Sequence, residues 1–315
     1  MEFDCIELER RLAIGFNEHL SLAQRDRYVR TGVDLDSLAR EDPRFKFFRR
    51  ETKDVIKWLC SSADNHVIWY GDPEFPCFNP LKARLPYMLF CLGQVPQPRR
   101  VCVAIVGTRH ATYSGIQQAF RFGMEATENS LEVISGFAEG IDQSGMNGAI
   151  EGGGPCIGVL ACGHDVEYPG LTMSLRKRML NSGGCILSRF APSQVPYKSS
   201  FISRNMVIAA YSSFVVAVQA PGKSGVLSTC DYALSLGKEI YVGSQGVGDR
   251  FVQAGTSQLF KDGAPVISEL SECEVEGIQF KFHVLEYDED LMERSNYVTS
   301  KRFGDRMYVV KNMIG

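Results

Sequence analysis

The 315-residue chain has ten cysteines but no C-x-x-C pair, and its five histidines (His19, His66, His110, His164, His283) are scattered with no metal-ligand spacing. Neither a zinc site nor a disulfide framework is expected, and no cofactor is implied. Cys102, Cys156 and Cys162 lie inside apolar runs, as reduced and buried thiols do, which points to the cytoplasm. No apolar run reaches the ~18 residues of a membrane span. The opening MEFDCIELERR has no apolar signal core, so nothing suggests export or a membrane partner.

A strong charge of one sign is also missing. The formal net charge is −3, which excludes a basic nucleic-acid binder by composition. The charge is uneven: +1 over residues 1–100, 0 over 101–268 and −4 over 269–315. An anion site must therefore be a local arrangement rather than a global field, and the acidic tail would compete with an anionic ligand for it.

What is present is an ordinary globular composition, 44% hydrophobic and 23% charged, which excludes a disordered chain. Residues 1–63 read as a helical N-terminal domain, with Leu8, Leu12, Phe16 and Leu20 at helical spacing. Residues 64–100 carry Pro73, Pro76, Pro80, Pro86, Pro96 and Pro98 around short extended runs, and read as a proline-rich adaptor. The basic and aromatic stretch 42–50 reads as an amphipathic connector before nucleic-acid binding is invoked. From Val101 to Ser268, apolar strands alternate with helical segments. That pattern predicts an α/β fold, a Rossmann-like doubly wound, mainly parallel sheet covered on both faces. Residues 269–315 form a small C-terminal extension, either a helical or winged cap or a final strand.

Ligands of such sheets bind at the carboxyl ends of the strands. There the sequence places Gly107–Thr108–Arg109, then Ser135–Gly136 through Gly140 to Asp142, then Ser203–Arg204–Asn205, then Gly222–Lys223–Ser224–Gly225. Glycines, hydroxyls and bases at helix starts predict a phosphate-bearing ligand. Arg109, a charge directly after an apolar strand and beside a glycine, is poorly explained by packing. For Asp142 a helix-capping role is favoured over catalysis.

Several chemistries are excluded by what does not follow the strands. Gly107–Thr108–Arg109–His110–Ala111–Thr112 is no G-x-G-x-x-G, and the second strand ends Ser135–Gly136 rather than in an acid, so NAD is not expected. Ala217–Ser224 lacks the first P-loop glycine, and no strand ends in a Mg²⁺-holding acid. No G-x-S-x-G elbow occurs, and no histidine completes a relay with Glu139 and Asp142.

Taken together, the motifs resemble the DprA/Smf family of DNA-processing proteins over residues 65–268. The carriers are Gly71–Pro76 with Leu85–Pro86 and Leu92–Gly93, Ile105–Arg109, Ser135–Asp142, Cys162–Pro169, Phe201–Asn205, Lys223–Thr229, and Gly255–Thr256 with Gly263–Ala264. Each is weak alone; seven in order are specific. The resemblance implies a non-enzymatic, homodimeric recombination mediator that binds single-stranded DNA and helps load RecA in transformation or recombination. The expected phosphate-binding set, drawn from the strand-end residues within these motifs, is Gly107, Thr108, Arg109, Ser135, Gly136, Gly140, Arg204, Asn205, Lys223, Ser224, Gly225 and Thr229, with Lys198 joining Arg204 at the second phosphate nest. Phe137 or Tyr197 would supply stacking.

The chain departs from the family pattern at Glu139 (arginine in the family), Met146 (histidine) and Met206 (arginine). These departures imply a weaker or repurposed site. Two alternatives remain: a nucleotide phosphoribohydrolase of the LOG type, whose catalytic glutamate has no counterpart in Pro221–Ser228, and a sensor of a small phosphorylated ligand.

Overall fold

A computed structural model describes residues 5–46, 48–76, 86–98, 100–170 and 172–275, with residues 49 and 50, 298–303 and 306–311 described in backbone only. Residues 1–278 make one compact unit and 279–315 a second.

The first unit is built on one sheet. Two strands enter it first, β1 (Asn65–Trp69) and β2 (Met88–Gly93). The central ones are β3 (Cys102–Val106), β4 (Glu132–Ser135), β5 (Cys156–Val159), β6 (Cys185–Ser188), β7 (Phe214–Ala217) and β8 (Ile240–Gly243), with β9 (Val266–Ile267) at one edge. Their order across the sheet is β1-β2-β6-β5-β4-β3-β7-β8-β9. Every residue of β3 through β8 is buried, so both faces are covered. Apolar runs of this length, alternating with helices, form parallel strands with helices above and below. The pairs β3–β4, β4–β5, β5–β6, β3–β7, β7–β8 and β8–β9 are all parallel.

Four helices precede the sheet: α1 (Cys5–Phe16), α2 (Leu22–Thr31), α3 (Leu35–Glu41) and α4 (Arg49–Ser61). Their ends are specified locally. Ser21 and Gln24 form a capping box at the start of α2, and Gly32, at φ +65°, ends it. Asp34 caps α3 by accepting the Ser37 N–H at 2.9 Å. The crossovers within the sheet are α5 (Tyr113–Glu128), α6 (Ile141–Glu151), α7 (Met173–Asn181), α8 (Lys198–Tyr211), α9 (Gly225–Ser235) and α10 (Ala254–Lys261).

The apolar runs read as strands lie where they are expected: Leu131–Ser135 and Glu239–Gly243 end with β4 and β8, whereas Val101–Gly107, Cys156–Gly163, Cys185–Phe190 and Phe214–Ala220 run past the carboxyl ends of their strands. Cys156–Gly163 reads as one apolar run, yet β5 stops at Val159. The Leu160 N–H still donates to the Leu187 carbonyl of β6 at 2.8 Å, and beyond it Ala161 and Cys162 stay buried but leave the sheet, where the chain turns to wall a cleft.

Residues 64–100, read as an adaptor, hold the two entering strands of the main sheet. β1 and β2 pair antiparallel, and β2 pairs antiparallel with β6, Phe90 opposite Ser188. Phe90 is fully buried and meets Trp58 of α4 edge-on at 6.2 Å and Phe16 of α1 at 6.0 Å. The hairpin therefore shares one core with the helical region and one sheet with the parallel strands.

At the other end, the segment after β9 is tied to α5. The Leu270 N–H donates to the Glu125 carboxylate at 2.7 Å, and Arg121 pairs with that carboxylate at 3.3 Å. The described part of the second unit is a hairpin, β10 (Val298–Phe303) and β11 (Arg306–Lys311). Among the described residues no helix is long and apolar enough to cross a membrane.

Candidate nucleic-acid interface

The order of the strands reverses at β3, whose neighbours are β4 and β7. The crevice between β3 and β7 is where such sheets seat a nucleotide. Here it is filled from within. Gln219 follows β7 and is fully buried. Its Oε1 accepts the Thr112 N–H at 2.9 Å, and its Nε2 donates to Thr112 Oγ1 and to the Gln245 carbonyl, both at 2.8 Å. Thr112 in turn caps α5 through the Gly115 N–H at 3.1 Å. A Cβ at Gly115 would stand 2.5 Å from Gln219 Oε1, so the amide lies directly against the helix start. Two donors of that helix start, the Thr112 and Gly115 N–H groups, are therefore already satisfied from within.

An open cleft lies one strand over, at the ends of β4 and β5. Asp142, in the first turn of α6, holds the two strand ends beside it: its carboxylate accepts the Gly107 N–H at 3.2 Å and the Gly136 N–H at 3.1 Å. Ser135 Oγ adds a third tie by donating to the Ile105 carbonyl at 2.6 Å. Glycine is required twice in this weave. A Cβ at Gly107 would meet Ile141 at 2.5 Å, and Gly140, at φ +79°, brings its Cα against the Thr108 carbonyl. Asp142 is thus a structural brace between strands, a wider role than the helix cap expected of it. Burial raises its pKa, opposed by Arg204 and the backbone N–H groups.

Arg204, on α8, reaches under the same loop. Its Nη1 donates to the Gly136 and Val159 carbonyls and its Nε to Asn205 Oδ1. Asn205 Nδ2 carries the network to the Gly225 carbonyl and Ser228 Oγ, both at 2.9 Å. Burial lowers the Arg204 pKa against the pull of Asp142, and the guanidinium stays charged.

Above this floor stands Arg109, exposed. It makes no ion pair among the described residues, and its guanidinium lies 5.8 Å from the centre of the Phe201 ring. Phe201 meets Tyr168 edge-on at 5.5 Å. Arg109, Gly136, Leu160, Tyr168, Phe201 and Arg204 line the cleft.

The thirteen expected residues divide accordingly. Gly107, Thr108, Ser135, Gly136, Gly140, Arg204 and Asn205 build the floor and its supports, and Arg109 stands at the mouth. Lys198 opens α8, one turn before Phe201, and is exposed. Lys223 is exposed just before α9; Ser224 caps that helix by accepting the Val226 N–H at 3.2 Å, and Gly225 begins it. Thr229 is buried within α9 and does not line the cleft.

Phe137 is not available for stacking. It is fully buried, and a Cβ at Gly158 would meet its ring at 2.2 Å. Tyr197 is half exposed. Of the departures, Glu139 is exposed and without an ion pair among the described residues, whereas Met146 and Met206 are buried core residues. The aromatic wall, Tyr168 and Phe201, is absent from the expected set although both residues lie inside recognised motifs. Their signal is an aromatic beside each strand-end loop.

The family model for DNA recombination-mediator protein A matches residues 66–276. The chain belongs to this family. Its relatives include the DNA processing protein DprA of Streptococcus pneumoniae, 30% identical over 58% of this chain and 64% of that protein. Protein Smf of Escherichia coli is 29% identical over 81% of this chain and 67% of that protein. The chain spans between half and two thirds of the length of its first curated relatives. Its fold is that of the S. pneumoniae DprA X-ray structure, with a TM-score of 0.68 at 24% identity over 90% of this chain and all of that one. A structure of DNA processing protein A from Helicobacter pylori, described for its single-stranded DNA binding mode, has a TM-score of 0.55 at 26% identity over 65% of this chain and 90% of that one.

Proposed function

We propose that this chain is a non-enzymatic recombination mediator whose cleft holds single-stranded DNA. The observation that carries the reading is Arg109: an exposed guanidinium with no carboxylate partner among the described residues, laid beside the Phe201–Tyr168 pair at the strand ends. A phosphate pairs with the guanidinium and a base stacks on the ring, a combination that reads strand chemistry and not sequence. Lys198 and Lys223 extend the positive rim as further phosphate contacts.

Family membership and the single-stranded DNA described for the H. pylori protein support the same ligand. Loading of RecA, homodimerisation and a cytoplasmic setting follow from that membership as proposals. Hydrolysis is disfavoured, because Asp142, the carboxylate buried at the cleft, is committed to two backbone N–H groups.

The test is a titration of oligo-dT, oligo-dC and a duplex at several salt concentrations, with and without ATP and Mg²⁺. Three or four phosphate contacts give a log–log salt slope near −2 to −3, by the rule of ~0.7 per contact on single strands. Oligo-dT and oligo-dC should bind alike and the duplex more weakly. A slope near zero, a strong duplex preference, or ATP consumption that tracks DNA would overturn the reading.

A further inference from the structure

Arg176 is a buried charge with an unusual set of partners. It sits in the basic run Arg176–Lys177–Arg178 of α7. In the fold it is only 4% exposed and makes no ion pair among the described residues. A guanidinium taken out of water without a carboxylate is costly unless carbonyls replace the water. Three do. Nη1 donates to the His164 carbonyl at 3.3 Å, and Nη2 to the Val166 and Tyr168 carbonyls at 3.1 and 3.0 Å. The Phe137 ring lies 5.6 Å from it.

All three carbonyls belong to one loop, between β5 and α7, and that loop carries Tyr168. A fourth bond on the same loop runs from Thr172 Oγ1 to the Pro169 carbonyl at 2.9 Å. The loop is braced from behind as well. The His164 ring stacks on Trp58 of α4 at 4.8 Å, with Nε2 3.0 Å from the Ile186 carbonyl. A line of direct contacts therefore leads from the helical region, through His164 and Arg176, to the tyrosine that faces Phe201 in the cleft.

We infer that Arg176 is a positioning residue for strand binding: by gathering three carbonyls of the β5–α7 loop it sets Tyr168 against Phe201, and it contacts no DNA itself. The inference rests on the proposed single-strand function. It separates two kinds of cation in one site, Arg109 for the ligand and Arg176 for the wall.

The test is a double-mutant cycle on oligo-dT affinity with Arg176→Met and Tyr168→Ala. Each single change should weaken binding about tenfold, the effect of losing one stacking partner. The double variant should be no weaker than Tyr168→Ala alone. The salt slope of Arg176→Met should equal that of the unaltered protein, since no phosphate contact is lost. Losses that multiply, or a slope reduced by one contact, would overturn the proposal. If Arg176→Met does not fold, Arg176→Lys replaces it: a loss of about threefold that vanishes in the Tyr168→Ala background is expected, because one ammonium cannot reproduce the planar fork that spans three carbonyls. Unchanged binding in that variant would also overturn it. A spectroscopic arm is independent of DNA. In a Trp69→Phe background Trp58 is the sole tryptophan, and the Arg176 variant should shift its emission. Absence of oligonucleotide binding by the unaltered protein sinks the single-strand reading, whereas an unshifted Trp58 sinks the positioning role.

Discussion

Arg109 and Arg204 line the same cleft, and only Arg204 is spent on the protein itself. Its guanidinium binds the Gly136 and Val159 carbonyls, whereas that of Arg109 rests against the Phe201 ring. The two arginines should therefore fail differently. Arg109→Ala should weaken oligo-dT binding by about 1–3 kcal/mol, the range for a charge-assisted hydrogen bond, and leave the melting temperature unchanged. Arg204→Ala should lower the denaturation midpoint first, because it strands buried carbonyls and Asp142. Affinity and thermal melts on both variants check the division; equal losses of affinity with equal melting temperatures would contradict it.

Asp142 offers a test of brace against catalyst. Asp142→Asn keeps the shape but puts an amide NH₂ where one of two backbone donors was accepted, and leaves Arg204 without its counter-charge. Stability should fall by about 1–3 kcal/mol. Urea unfolding measures it. A catalytic carboxylate would instead lose an activity while its stability held.

Glu125 gives a pH signature. Burial pushes its carboxyl up from the ordinary glutamate value to about 7, against the Leu270 N–H and Arg121. In the window between the ordinary value and about 7 the folded chain holds a proton that the unfolded chain has released. This contribution to stability is therefore present in acid and lost as pH rises through about 7. Glu125→Gln should be more stable than the unaltered protein at pH ~8 by about 1–3 kcal/mol, since a tenfold change in proton affinity is worth ~1.4 kcal/mol, and nearly equal to it at pH ~4.5. Denaturant midpoints at the two pH values decide it; a larger gain in acid would refute the sign.

Glu139 sits exposed in the loop after β4, without an ion pair among the described residues. Glu139→Arg should tighten oligo-dT binding and steepen the salt slope by about 0.7, one added phosphate contact. An unchanged slope and affinity would place Glu139 away from the strand.

The central strands were legible because burial on both faces writes them as unbroken apolar runs, as in Cys102–Val106. The extended runs of β1 and β2 were legible too, but their pairing into the main sheet was not. The pairing partner of β2, β6, lies far along the chain, and prolines between the two strands read as punctuation of a linker. The exposed position of Arg109 was legible, since a charge straight after an apolar strand has few packing explanations. Arg176 was not, because its two basic neighbours suggest a wet helix face and only the tertiary fold shows it buried. Phe137 misled for the opposite reason: a loop aromatic beside glycines looks available, yet it fills the space over Gly158.

The amide of Gln219 has a consequence for the company this protein keeps. A cell is crowded with free nucleotides, and a Rossmann-like sheet with a vacant switch point is a standing invitation to them. With Thr112 and Gly115 already closed around Gln219, that invitation is withdrawn. Mononucleotides then find that switch point occupied by the protein itself, so the strand proposed for the neighbouring cleft would not compete with them there.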